Sequence, residues 1–433
     1  MKAVPRLIML TCLVSAVAIS AFADIGDELK YAFRISDNAL LQGKLPFVVD
    51  AIEVPALMQK IEKAPEFAAE LAAIADVGAN VVCFDLEGLS ADGKTLAPDT
   101  AVKIDKMLEH INWRRLGAMC KLFGADAPKD PAYREAAAKA AAAGLKNARR
   151  VLFWIDGPGA EAAVKAFRQE APELVIAAEK GGDIDVVTQP PAAKPLRPTM
   201  LAGAPPAPEL LGSVHCVLPG TEESRKALDA AVADPAESKP WTPDNSTLSE
   251  QERKEGFVSL FDGKTLDGWW VLGEKKEGFK VNDGAIEWAA LGGKGLYTRD
   301  RYDNFTLRLD WKINKKGNSG IYLRAPRQGR QSKIGMEFQL QGDSGTTITN
   351  QTTAAVYDVV PPRVNAAKPE GEWNSVEITL NGSKMKAVLN GQVVQDLNLD
   401  ENEELKPRLR RGFIGLQDHA CYVAFRNIRI KKL

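Results

Sequence analysis

Near Gly256 the spacing of apolar residues switches from continuous runs to strict alternation, and no other feature constrains this chain as much. Before the switch, apolar runs at 47–52, 80–86, 115–123, 150–155 and 174–178 are separated by helical segments. Strands that are apolar on both faces and joined through helices make a parallel sheet covered on both sides. An α/β N-terminal domain is therefore expected, either a small or incomplete β/α barrel or a doubly wound sheet. After the switch the period is two, at 305–311, 376–380, 384–389, 393–397, 412–416 and 423–430. The pairs Asn381-Gly382 and Asn390-Gly391 are hairpin turn signals. Short alternating strands at regular spacing predict an all-β antiparallel sandwich.

The remaining segments complete a domain map. Lys2 and Arg6 precede an apolar run at 7–20, and Ala21-Phe22-Ala23 reads as a cleavage site. Residues 1–23 are thus expected to be a secretory signal peptide, with the mature chain exported to the periplasm or beyond the cell. The α/β domain runs from 24 to 234 and carries a Pro-rich insertion at 189–208. A linker at 235–255 follows, and the sandwich fills 256–433.

Charge and cysteines exclude several classes. With 56 basic and 57 acidic residues the net charge is −1, which points away from nucleic acid as a partner. No later stretch is apolar for long enough to span a bilayer. Cys83, Cys120, Cys216 and Cys421 are too scattered for a disulfide framework or a zinc site, and no metal or cofactor is expected. A bridge between Cys83 and Cys120 would require neighbouring strands. In a parallel α/β fold, chemistry sits past the carboxyl ends of the strands. Those ends carry Asp85, Glu87, Lys121, Asp156, Glu179 and Lys180. Acidic groups there fit a glycosidase barrel, and equally fit helix capping.

The richest stretch lies in the sandwich, at 316–341. In one strand Ile321 and Leu323 share a face, with Tyr322 and Arg324 on the other. In the next, Met336, Phe338 and Leu340 oppose Glu337, Gln339 and Gln341. The polar set offers an aromatic body for a sugar ring, with donors and acceptors for its hydroxyls.

Several motifs occur in family order: 259–269 (Ser-Leu-Phe-Asp-Gly-Lys-Thr-Leu-Asp-Gly-Trp), Gly317-Asn-Ser-Gly-Ile321, Glu337-Phe-Gln339, Gly371-Glu-Trp-Asn374, and Gly415-Leu-Gln-Asp-His419 with Phe425-Arg-Asn-Ile-Arg429. Together they resemble the 3-keto-disaccharide hydrolase domain family, over about residues 256–433. The resemblance implies a concanavalin A-like jelly roll and cleavage of glycosides oxidised to a ketone at C3. It also implies a catalytic set of Glu337 as base, His419 as acid or base and Arg324 as enolate stabiliser. Asn318, Tyr322, Gln339, Tyr357, Gln417 and Asp418 would bind the sugar. The chain departs from the family pattern at Ala420 and around Ala354, where relatives usually have glycine. The rival expectation is a non-catalytic carbohydrate-binding sandwich attached to a degenerate glycosidase-like α/β domain. A third places catalysis in the barrel, through Glu87, Asp156 or Glu179.

Overall fold

The computed structural model describes residues 31–36, 39–42, 45–187, 198–203, 215–231, 241–271, 278–288 and 295–433. The expected signal peptide lies outside them, as does most of the Pro-rich insertion. The chain divides into two compact units, one drawn from 1–62 and 79–227, the other from 63–78 and 228–433.

The first unit contains a closed barrel of eight parallel strands. In chain order these are β1 (Asp50–Glu53), β2 (Val81–Asp85), β3 (Gly117–Lys121), β4 (Val151–Trp154), β5 (Ile176–Ala178), β6 (Ile184–Val187), β7 (Thr199–Ala202) and β8 (His215–Leu218). Each strand pairs in parallel with the next, and β8 closes on β1 through Cys216↔Asp50 and Leu218↔Ile52. Closure excludes the doubly wound alternative. Helices Thr100–Trp113, Pro131–Leu145 and Ala160–Glu170 follow β2, β3 and β4 in sequence. Only five residues, 179–183, separate β5 from β6, so no crossover helix fits there. The barrel is reduced relative to a full (β/α)8 fold.

Ala51, Val81, Cys83, Met119, Leu152, Ala177, Ile184, Met200 and Val217 fill the barrel interior. Cys83 belongs to this inward layer, whereas Cys120 lies opposite Phe84 in the β2–β3 register and faces the other way. The described cysteines are all free, because alternation puts these two on opposite faces of the sheet. β7 falls inside the segment read from sequence as a proline-rich insertion, so that part is a barrel stave rather than an excursion.

The second unit holds the sandwich. One sheet is built on the strands Phe305–Ile313, Asn374–Asn381, Lys384–Leu389, Gln392–Asn398 and Val423–Lys432. The other has five strands: β9 (Trp269–Val271), β10 (Leu296–Tyr302), β11 (Asn318–Ala325), β12 (Met336–Gln341) and β13 (Gly412–Leu416). Their spatial order is β9-β10-β13-β11-β12. Hairpins form at both asparagine–glycine signals: Leu389 pairs with Gln392 across Asn390-Gly391, whose φ values of 49° and 82° fit a type I′ turn, whereas Asn381 pairs with Lys384 and the turn residues there are Gly382 and Ser383. Ile321, Leu323, Met336, Phe338, Leu340, Ile414 and Leu416 face the opposing sheet, including Trp311, and make the core. This antiparallel two-sheet architecture fits a jelly roll. β9, at three residues, is too short to show a period, and β10 was not legible from the alternation because a register shift between Tyr297 and Arg301 breaks it.

Candidate active site on the five-stranded sheet

The face of this sheet turned away from the core carries one continuous row of residues. Strand register places Trp270 beside Tyr297, Tyr297 beside Gly415, Gly415 beside Tyr322, and Tyr322 beside Glu337. The rings of Tyr297 and Tyr322 are parallel, with centroids 6.1 Å apart. Gly415 lies between them, and a Cβ there would stand 2.6 Å from Tyr297 and 3.1 Å from Tyr322. Glycine therefore lets the two rings approach over bare backbone. In the next row Gly320 faces Gln339, and a Cβ on Gly320 would meet the Glu337 carboxyl at 2.3 Å. The carboxyl group thus leans over a second glycine, and the two glycines form a trough.

Glu337 is only 3% exposed. Its neighbours on β12, Met336 and Phe338, point into the core, so alternation alone sends it to the trough. Burial raises its pKa to about 8, despite opposing effects from Arg330, a hydrogen bond with Gln417, and Lys333. Gln417 also donates from Nε2 to the Tyr322 hydroxyl at 2.8 Å. The backbone N–H of Tyr357 donates to the Glu337 carbonyl at 2.9 Å, which brings that ring alongside. Lys333 donates to Asp358 at 2.7 Å and sits 6.0 Å from the Tyr357 ring centre.

The sequence-predicted residues separate into three groups. Glu337, Tyr322, Gln417 and Tyr357 come together. Gln339 and Asn318 form an adjacent pair, Gln339 Nε2 donating to Asn318 Oδ1 at 3.0 Å, with Gln339 fully buried. Among the described residues, Gln339 Oε1, Gln417 Oε1 and Asp418 Oδ2 are buried acceptors without a partner. Orphan acceptors beside a trough are suited to the hydroxyl donors of a sugar. His419 is exposed in the loop after Gln417, and no hydrogen bond joins it to Glu337. The loop is anchored by Cys421, which donates to the Asn318 carbonyl at 2.9 Å, and by Ala420 N–H on Asp418 at 2.8 Å.

Arg324 is the correction. A register shift on β11 between Tyr322 and Ala325, with Arg324 at φ 53°, takes its side chain out of the alternation. Fully buried, it donates to the Asp303 carbonyl at 2.8 Å and to the Gly382 carbonyl at 3.0 Å. It pins two turns and does not join Glu337. The cations that act electrostatically on the carboxyl are instead Arg330 and Lys333, from the loop and short helix before β12. Sequence reading missed both, since that connection has no period. It also missed Tyr297, which lies on the irregular β10.

Residues 256–431 match the 3-keto-alpha-glucoside-1,2-lyase-like domain family. The C-terminal domain belongs to this family. A 3-keto-disaccharide hydrolase from Bacteroides thetaiotaomicron is 29% identical to the chain over 236 residues, spanning 41% of this chain and 79% of that protein. A solved structure of a candidate glycosyl hydrolase from Parabacteroides distasonis has 27% identity and a TM-score of 0.39, covering 43% of this chain and 98% of its own. A glycoside hydrolase family 5 structure from Bacteroides vulgatus covers 73% of this chain and 90% of its own, at 13% identity and a TM-score of 0.33.

Within the lyase-like domain, the two departures from the family's glycines carry a conformational cost. Ala354 has φ 72° and Ala420 φ 56°, in the left-handed region where Cβ crowds the backbone. Ala420→Gly is expected to stabilise the domain by up to about 1 kcal/mol, read as a higher midpoint in urea. An unchanged or lower midpoint would mean that the His419 loop is held for other reasons.

Proposed function

We propose that the lyase-like domain cleaves glycosides whose sugar bears a ketone at C3, by elimination and then hydration. The observation that carries this reading is Glu337, a carboxyl buried over a glycine trough with its ionisation moved to about pH 8. The C3 ketone acidifies the proton on C2. Glu337, as the carboxylate, takes that proton, and the electron pair moves into the carbonyl as an enolate. The pair returns to form the C1–C2 double bond, and the aglycone oxygen leaves C1 and is protonated. Water then adds to C1 while C2 regains a proton, so the net change is hydrolysis.

The other residues divide the remaining work. Arg330 or Lys333 would meet the enolate oxygen, taking the role that the resemblance gave to Arg324. His419, at the exposed rim, would protonate the leaving oxygen, as an imidazole can near neutral pH. Tyr322 and Tyr357 would pack on the sugar ring, and Gln417, Asp418 and Asn318 would accept its hydroxyls. Gln339 would act by holding Asn318. The name of the Bacteroides relative supports the substrate class. The leader-like sequence at 1–23 supports export. A deeply buried carboxyl with its pKa raised toward the working pH is the arrangement of a general base, which favours catalysis over the rival expectation.

The test is aglycone release from a 3-keto-glucoside deuterated at C2. Elimination is expected to slow several-fold on deuteration, and the parent glucoside without the ketone is expected to be inert. Equal rates with hydrogen and deuterium, combined with cleavage of the plain glucoside, would point to direct displacement at C1 instead.

A further inference from the structure

The barrel has its own candidate site, independent of the trough. At the carboxyl ends of β1 to β3 a cavity of about 410 Å³ is lined by Glu53, Asp85, Lys121, Phe123, Asp126 and Tyr133. That volume falls within the range of small-molecule sites, roughly 300–1,000 Å³. The location follows from alternation. Ala51, Cys83 and Met119 point into the barrel, so two residues further along Glu53, Asp85 and Lys121 form the last inward layer.

The cluster is only half satisfied. Lys121 Nζ contacts Glu53 at 3.2 Å and Asp156 at 3.7 Å, so the ammonium is already neutralised. The Asp85 carboxylate has no hydrogen-bond donor among the described residues. It leans over Gly124, where a Cβ would stand 2.2 Å from Oδ2. Burial raises its pKa, although Lys121 opposes this. Beneath Lys121, 4.1 Å from Nζ to the ring centroid, lies Trp154, which is 5% exposed. Its indole Nε1 is buried and unpartnered. A carboxylate without a hydrogen-bond donor and the half-buried ring of Tyr133 line this cavity, with an orphan indole N–H behind its Lys121, which amounts to an unfilled binding site rather than a closed salt-bridge network.

We propose that this barrel mouth binds a neutral sugar, as a second carbohydrate site on the chain. Three lining carboxylates against one neutralised ammonium repel anions. Carboxylates accept hydroxyl protons, and the half-buried Tyr133 offers ring surface to the C–H face of a sugar, whereas Phe123 is buried under Arg134. Glu87, one of the acids picked out at the strand ends, donates nothing here. It is half-buried, lies outside the cavity lining and accepts from Gln59 at 2.9 Å.

The test uses the full chain and methyl α-glucoside, which has no ketone, followed by calorimetry and intrinsic tryptophan fluorescence. Saturable binding in the millimolar range is expected. It should weaken at least tenfold in Asp85→Asn and in the conservative Trp154→Phe, while turnover of the 3-keto-glucoside is unchanged. Circular dichroism melts establish that both variants fold. Three results would overturn the proposal: no saturable binding, binding abolished by Glu337→Gln but not by Asp85→Asn, or binding of spermidine in place of the sugar. Because no turnover is needed, the outcome does not depend on the reaction proposed for the trough.

Discussion

Glu337→Gln is expected to lower the turnover of a 3-keto-glucoside by about 10²–10⁴-fold, the usual worth of a general base. The same change is expected to make the protein more stable in alkali. In the folded domain the carboxyl keeps its proton up to about pH 8, against an ordinary value of 4.5. As pH rises between those values, the unfolded chain releases a proton that the folded chain retains. Folding stability therefore falls through that window, and the whole penalty is present above pH 8. Glutamine cannot ionise, so the variant avoids a loss on the order of 3–5 kcal/mol at pH 9 and matches the parent at pH 4. Denaturant melts at the two pH values measure this directly. The parent's kcat/KM should climb with pH and level off above about 8, because the base form does the work. A rate that falls over the same range would make Glu337 an acid. A variant no more stable than the parent at pH 9 would mean that the carboxyl is solvated.

Arg324→Met is expected to destabilise the lyase-like domain by about 2–4 kcal/mol without entering the chemistry. The guanidinium satisfies the Asp303 and Gly382 carbonyls while fully buried, and removing it leaves those acceptors dry. Burial lowers the pKa of Arg324 to about 10, with Arg410 adding to the effect, so the group stays cationic at neutral pH. Gly335 and Gly412 make room for the bulge, since a Cβ on either would lie about 2.5 Å from the backbone of Arg324. Urea denaturation should show the loss, and kcat of the folded fraction should be retained. Lost turnover at undiminished stability would return Arg324 to the site.

The contrast between these two residues shows how far pattern reading reaches. Both were assigned to one face by alternation, a rule that holds while each strand residue pairs with its neighbour in step. Glu337 lies on β12, whose pairing with β11 runs unbroken from Asn318↔Gln341 to Leu323↔Met336. Arg324 lies one residue past that run, where β11 slips against β13. A bulge has no reliable signature in a single sequence, because it depends on what the partner strand and its turns demand. Tyr297 escaped notice for the same reason. Arg330 and Lys333 were hidden differently, since residues in a loop have no period to read.

Taken alone, the sequence was enough to divide the chain into a parallel α/β part and an antiparallel sandwich. It also set Glu337, Tyr322 and Gln339 on the face opposite Met336 and Phe338, because hydrophobic period is a local property that each strand carries by itself. Tertiary structure decided the rest. It closed the eight strands into a barrel, lined up Trp270, Tyr297, Gly415, Tyr322 and Glu337 across four strand pairings, and buried the carboxyl deeply enough to move its ionisation toward neutrality. Each of these depends on contacts between residues far apart in the chain, and desolvation in particular exists only once those neighbours have excluded water.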